Sequence, residues 1–130
     1  MSTDTAGPAT ASPATEAPMI PMAMAINQAL DIAMGLNPKV FLLGGDIAEP
    51  SGGVYKVTKG LSTKYGTDRV RKTAISEAAI IGAAVGSAIA GYRPVAEIMM
   101  MDFLAVCLDR VTNHAGKIAT CRVGRRRYRW

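Results

Sequence analysis

Val40-Phe41-Leu42-Leu43 is an unbroken apolar run closed by Pro38 on one side and Gly44-Gly45 on the other. A strand apolar at every position has to be buried on both faces, which is the habit of a parallel sheet covered by helices. That requirement constrains the rest of the chain, because each face of this strand needs a helix and each edge a neighbour. The segments around it supply them. From Met22 to Leu36, Ile26, Ala29, Leu30, Ala33 and Met34 recur at helical spacing, and Gly35 with Asn37-Pro38 ends the helix. A second helix is expected from about Val57 to Tyr65, stopping at Gly66, and a short strand over Arg69 to Thr73. Ser76 reads as the cap of a long small-residue helix starting at Glu77, in which Gly82, Gly86 and Ala90 form one smooth stripe. Such a stripe suits close packing, inside the domain or against another subunit. Arg93-Pro94 leads into the strand Val95 to Met99. A last helix, Asp102 to Ile118, places Leu104, Leu108 and Val111 on one side. The order αβαβαβα predicts an α/β fold, part of a doubly wound parallel sheet.

Residues 1–19 are rich in Ala, Thr, Pro and Ser without a hydrophobic period, and read as a disordered extension to a domain over 20–118. The net charge of +5 invites a nucleic-acid reading, but five of the 15 Lys and Arg lie in residues 119–130. The remaining 10 basic residues balance 10 acidic ones, so the body is neutral and the basicity belongs to the tail. Cys107 and Cys121 have no ligand spacing to His114, which predicts neither a disulfide framework nor a zinc site and fits a reducing cytoplasm. The longest apolar run, Ala78 to Gly91, is shorter than the ~18 residues a bilayer span requires. The expectation is a soluble protein without membrane or nucleic-acid partners.

The candidate chemistry centres on Glu77, a carboxylate delivered by a tight strand-to-helix junction into apolar surroundings. A glutamate at a helix start is commonplace in itself, because the helix dipole favours it there. Glu97 and Asp102 read as a strand-edge charge and a helix start. Gly44-Gly45-Asp46 lacks the dinucleotide fingerprint, and His114, with no second histidine, reads as an ordinary partly buried imidazole.

The motifs taken together say more. Val40 to Gly44, Gly53-Val54-Tyr55-Lys56-Val57-Thr58-Lys59-Gly60-Leu61, Thr73 to Glu77, Gly91 to Glu97 and Met101-Asp102-Phe103 occur in one order. From about Ala25 to Ile118 the chain resembles the N-terminal, pyrimidine-binding part of the β subunit of thiamine-diphosphate-dependent 2-oxo acid dehydrogenases. The loop Asp46 to Gly53 leans toward the acetoin and related bacterial branch. The resemblance implies a transketolase-like domain that binds the aminopyrimidine of thiamine diphosphate, while an α subunit holds the diphosphate and magnesium. It implies that Glu77 hydrogen-bonds the ring nitrogen opposite the amino group, favouring the imino tautomer that takes the thiazolium proton. It places Met99 and Phe103 against the ring and the Ile75 backbone beside it. The implied partners are the α subunit, a second β subunit and a lipoyl-bearing acyltransferase that receives the acyl group, in a cytoplasmic heterotetramer.

Two positions depart from the family pattern. Gly45 stands where an acid thought to link the paired cofactor sites is usual, with Asp46 one residue late and expected on the other face. Ala74 replaces a proline, which loosens the turn before Glu77.

The tail departs altogether. Where the family continues Arg-Tyr-Met-Ser-Gly-Gly, this chain reads Ala119-Thr120-Cys121-Arg122-Val123-Gly124. Deleting the first base of CGC TAC ATG TCG GGT GGN regroups it as GCT ACA TGT CGG GTG GN, which yields Ala119 to Val123, followed by Gly124 where the sixth codon is GGG. The expectation is a single-nucleotide loss near codon 119, in the gene or its sequencing, leaving a truncated and inactive subunit. The alternatives at this point are a non-enzymatic module whose basic tail binds polyanions and a pseudogene product. Resequencing across codons 115–130 is expected to return one further nucleotide and a long open frame; an unchanged reading would make the tail genuine.

Overall fold

A computed structural model describes residues 19–121 of the chain, with side chains to Ile118. The expected extension, apart from Met19, and the tail beyond Cys121 lie outside the described residues. The elements are α1 (Met22–Leu36), β1 (Val40–Gly44), α2 (Leu61–Tyr65), β2 (Val70–Lys72), α3 (Glu77–Ile89) and β3 (Arg93–Ala96). A helical stretch follows: a 3-10 turn (Met101–Phe103), α4 (Leu104–Asp109), a π-helical segment (Arg110–Ala115) and α5 (Gly116–Cys121). The last helix therefore runs three residues into the segment assigned to the tail.

The three strands form one parallel sheet in the order β2-β1-β3. β1 is central and buried along its whole length, as its uniform apolarity demands. Its side chains alternate between two cores. Val40 and Leu42 join Met34, Ile47, Leu61 and Val70 beneath α1 and α2; Phe41 and Leu43 meet Ile80, Ala84, Ala96 and Ile98 beneath α3. Each fully buried Leu, Val or Met contributes on the order of 1.5–3 kcal/mol relative to exposure.

Polar contacts fix how these layers meet. The Arg69 guanidinium donates through Nη2 to the carbonyls of Met34 (2.9 Å), Asn37 (2.9 Å) and Val40 (2.7 Å), and stacks over the Tyr65 ring. It thereby satisfies carbonyls that the C-terminus of α1 cannot bond internally. Asp31 receives Lys64 and the Tyr65 hydroxyl, both at 2.7 Å, tying α2 to α1; these two donors hold its carboxyl below the usual carboxylate range. Asn27 Nδ2 donates to the carbonyls of Val57 and Lys59, anchoring the long β1–α2 loop to the same helix.

Several elements differ from expectation, each for a local reason. The helix expected from Val57 begins only at Leu61, because Gly60 adopts a left-handed conformation (φ 81°) that breaks any helix running through it. β2 ends at Lys72; Thr73 N–H still reaches Gly44 O at 2.7 Å, but Ala74 and Ile75 have left the sheet. Ser76 occupies the cap position of α3 without a side-chain hydrogen bond. β3 starts at Arg93 and stops at Ala96 rather than spanning Val95 to Met99. In the last helix, Leu108 and Val111 are exposed and Cys107 is the buried residue. The π turn shifts the register from Arg110 onward, so a 3.6-residue period carried from Leu104 misplaces Val111. Of the small-residue stripe, a Cβ on Gly82 would come within 4.0 Å of Arg110 Cδ, while one on Gly86 would meet nothing within 4 Å. Only the first of the two is covered by packing within the described residues.

Arg69→Ala should take the guanidinium from the Met34 and Val40 carbonyls, leave Asn37 O with the Val40 N–H alone, and free the α1 terminus. Urea unfolding is expected to show a loss of about 2–3 kcal/mol, with Arg69→Lys in between; a loss below about 0.5 kcal/mol would deny the guanidinium its role.

Candidate functional site

The C-terminal ends of β1 and β3 and the start of α3 converge at one edge of the sheet. In an open parallel sheet this edge, at the point where connections change face, is where ligands bind. With the order β2-β1-β3, that point lies between β1 and β3.

Three of the four expected site residues meet here. Ile75, Glu77 and Met99 line one small cavity of about 20 Å³ together with Gly45, Ile80, Glu97 and Ile98, space for about one water. Glu77, half-buried, is the first residue of α3. Ile75 is 81 % exposed and stands at the rim, and Met99 is half-buried. Phe103 is not among the cavity's residues; it sits in the following 3-10 turn, partly exposed. Neither Met99 nor Phe103 belongs to the two cores. Gly45 lies against Met99, its Cβ position 3.9 Å from Met99 Cε, and Asp46 turns to Lys72 instead, at 3.4 Å. His114 is on the surface, its Nε2 accepting from Arg110 Nη1 at 2.9 Å, and is not among this cavity's lining residues. Among the described residues no group of His, Cys, Asp and Glu has a metal-binding arrangement.

Glu97 is the residue that sequence reading undervalued. Its N–H extends the β1–β3 ladder to Leu43 O (2.9 Å). Its side chain lies on the α1 side of the sheet, against Gly44 and beneath the Gly52-Gly53 turn. A Cβ at Gly44 would fall 3.0 Å from Glu97 Cβ, and one at Gly53 would fall 3.5 Å from its Oε1. Oε2 is sealed from solvent and has no hydrogen-bond partner. Burial raises its proton affinity, holding the carboxyl above its ordinary value of 4.5. The only signal in the sequence is one charge within Pro94-Val95-Ala96-Glu97-Ile98. The glycines that enclose it lie some forty and fifty residues earlier, at Gly53 and Gly44.

Glu97 also borders a larger cavity of about 330 Å³ with Leu30, Leu42, Tyr55, Thr58 and Val95. The loop above it is held by buried polar contacts. Thr58 Oγ1 donates to Ile47 O at 2.7 Å, and Glu49 N–H donates to Ser62 Oγ at 2.9 Å.

Residues 18–126 match the family model described as transketolase, pyrimidine binding domain. The chain is 42% identical over 112 residues to a pyruvate dehydrogenase E1 component subunit beta from Leifsonia xyli, covering 86% of this chain and 33% of that one. It is 46% identical over 103 residues to an acetoin:2,6-dichlorophenolindophenol oxidoreductase subunit beta from Cupriavidus necator, covering 72% and 30%. It is 43% identical over 110 residues to the Bacillus subtilis protein of the same name, covering 76% and 32%. The chain thus spans about a third of the length of the curated relatives it matches.

Two consequences can be measured. With its folded value raised, Glu97 favours folding fully below about pH 4.5 and loses that contribution as pH rises through the folded value. Glu97→Gln should remove this decline from a series of urea unfolding curves; a decline that persists would assign it elsewhere. Gly44→Ala drives a methyl to 2.9 Å from Ile47 Cγ2 and is expected to cost about 1–3 kcal/mol by the same assay.

Proposed function

The chain belongs to the transketolase pyrimidine-binding domain family, and on that footing we propose that it acts as part of the β subunit of a thiamine-diphosphate-dependent 2-oxo acid or acetoin dehydrogenase. The reading is carried by one observation: Ile75, Glu77 and Met99 surround one cavity at the sheet's ligand-binding edge. The named relatives, β subunits of pyruvate dehydrogenase and of an acetoin oxidoreductase, support the same reading.

The residues present suit one wall of such a cofactor site. The 20 Å³ cavity is too small for a ring, so an aminopyrimidine has to lie outside it, across the rim formed by Ile75 and Glu77. There Glu77 offers a carboxylate to a ring nitrogen, and its place at the head of α3 steadies the negative charge. Ile75 and Met99 provide apolar surface that excludes water from that hydrogen bond, and Phe103, in the next turn, can extend this surface to a ring. When bound, thiamine diphosphate supplies the carbanion that attacks a 2-oxo acid or acetoin carbonyl. This chain's contribution is to orient the ring and hold or release a proton at Glu77 Oε.

The proposal assigns the diphosphate and its magnesium to an α subunit and a place in the heterotetramer to a second β subunit. It assigns the acyl group to a lipoyl-bearing acyltransferase and the assembly to the cytoplasm. The free, buried Cys107 is in keeping with such a reducing setting.

In a β subunit carrying the relatives' full length and paired with its α subunit, Glu77→Gln should lower substrate oxidation by about a hundredfold or more. Co-purification of the two subunits should be unaffected. Undiminished turnover would remove Glu77 from the chemistry.

A further inference from the structure

α1 is apolar on two opposite sides. One side carries Leu30 and Met34 into the first core. On the other, Met22 is 78 % exposed, Ile32 62 % and Leu36 82 %, with Ala25 and Ala29 exposed between them. Met22, Ala25, Ala29, Ile32 and Leu36 fall at i, i+3, i+7, i+10 and i+14. This is the a/d repeat through which one helix seats the side chains of another. A helix on a protein surface ordinarily turns charged residues outward. The one charged residue of Met22–Leu36 is Asp31, and Lys64 and Tyr65 already engage it away from this stripe.

Side-chain size decides which helix fits. Laid antiparallel on a second α1, about a two-fold axis between positions 30 and 31, Ala25 meets the second copy's Leu36 and Ala29 meets its Ile32. Every layer then sets one alanine against one large side chain, the alternation that fills an interface without voids. Parallel pairing instead sets alanine on alanine and isoleucine on isoleucine, with gaps beside crowded layers. The stripe is thus complementary to itself under a two-fold axis, as an isologous contact requires. At these exposures it offers roughly 500 Å² per copy, or about 1,000 Å² for a pair, the lower end for a specific complex. Asn27, Asp31 and Met34 already hold α1 in place, so pairing orders no backbone.

We infer that α1 binds the α1 of a second copy of this chain, antiparallel, in the register that sets Ala29 against Ile32. Other occupants fit less well. Residues 1–18 contain no Leu, Ile, Val, Phe or Trp and cannot supply the large member of each layer. A lipid surface calls for basic residues along the border of the apolar face, and Met22–Leu36 has none. α1 and α3 cover opposite faces of the sheet, so the contact lies across the sheet from α3 and is independent of the reading of Glu77.

Sedimentation velocity of the 130-residue chain, from micromolar to millimolar concentration, tests this. A reversible dimer is expected, with a dissociation constant in roughly the micromolar range. Ala29→Glu or Ile32→Lys alone should weaken it by about a hundredfold or more, because each buries an unpaired charge in two layers. Both sites are exposed in the single chain, so the circular dichroism of either variant should match the parent. Mixing the two variants should restore association to within about tenfold of the parent, since only the antiparallel register brings the new carboxylate beside the new ammonium. Met24→Glu, exposed but outside the stripe, should leave the dimer unchanged. A monomer throughout, a dimer indifferent to both substitutions in the stripe, a loss shared by Met24→Glu, or no recovery on mixing would each overturn the inference. So would unfolding of either variant, which would place its residue in a core instead of at a contact. None of these readouts involves thiamine diphosphate.

Discussion

Everything in this domain is arranged around a strand that meets water nowhere. β1 is bonded to β2 on one edge and β3 on the other, and its side chains divide between two cores. Leaving either edge open would bury unpaired peptide groups, each at a cost of a few kcal/mol. Leaving either face open would expose Phe41 and Leu43, or Val40 and Leu42. The strand thus obliges the chain to supply helices on both sides. Arg69 sets where the strand starts, because one guanidinium holds the last turn of α1, the connecting Asn37 and the first residue of β1 in a single fan of hydrogen bonds.

The parts of the fold set by local pattern were legible, and those set by distant neighbours were not. α1 has its expected limits because Pro21 and Asn37-Pro38 close both ends. β1 is where the apolar run is. β3 is displaced because its end depends on its partner: the ladder has nothing to pair with beyond Gly44, where β1 turns into the loop. The apolar character of Ile98 and Met99 reflects contact with α3 and the small cavity rather than strand pairing. The last helix was misjudged for a different reason, since no residue pattern marks the wide turn at Arg110–Ala115.

The site divides in the same way. Ile75, Glu77 and Met99 could be brought together from sequence, since in a parallel sheet the strand ends and the following helix starts share one edge. Glu97 could not be singled out, because its seclusion is created by glycines far away in sequence and by a loop held down through Asn27 and Thr58. Two glutamates twenty residues apart thus have opposite characters. One begins a helix at the rim, and the other is enclosed beneath a glycine turn.

The strand order has a consequence for how the chain is made. β1 is the first strand to leave the ribosome, yet its neighbour on one edge is β3, about fifty residues later. At about 5–20 residues per second, Val40 to Leu43 waits roughly 3–10 seconds for that neighbour after β1 itself is complete. During this interval one edge of this apolar strand has no strand to pair with. A sheet whose centre is synthesised before its flanks is exposed to chaperones by its topology, whatever its final stability.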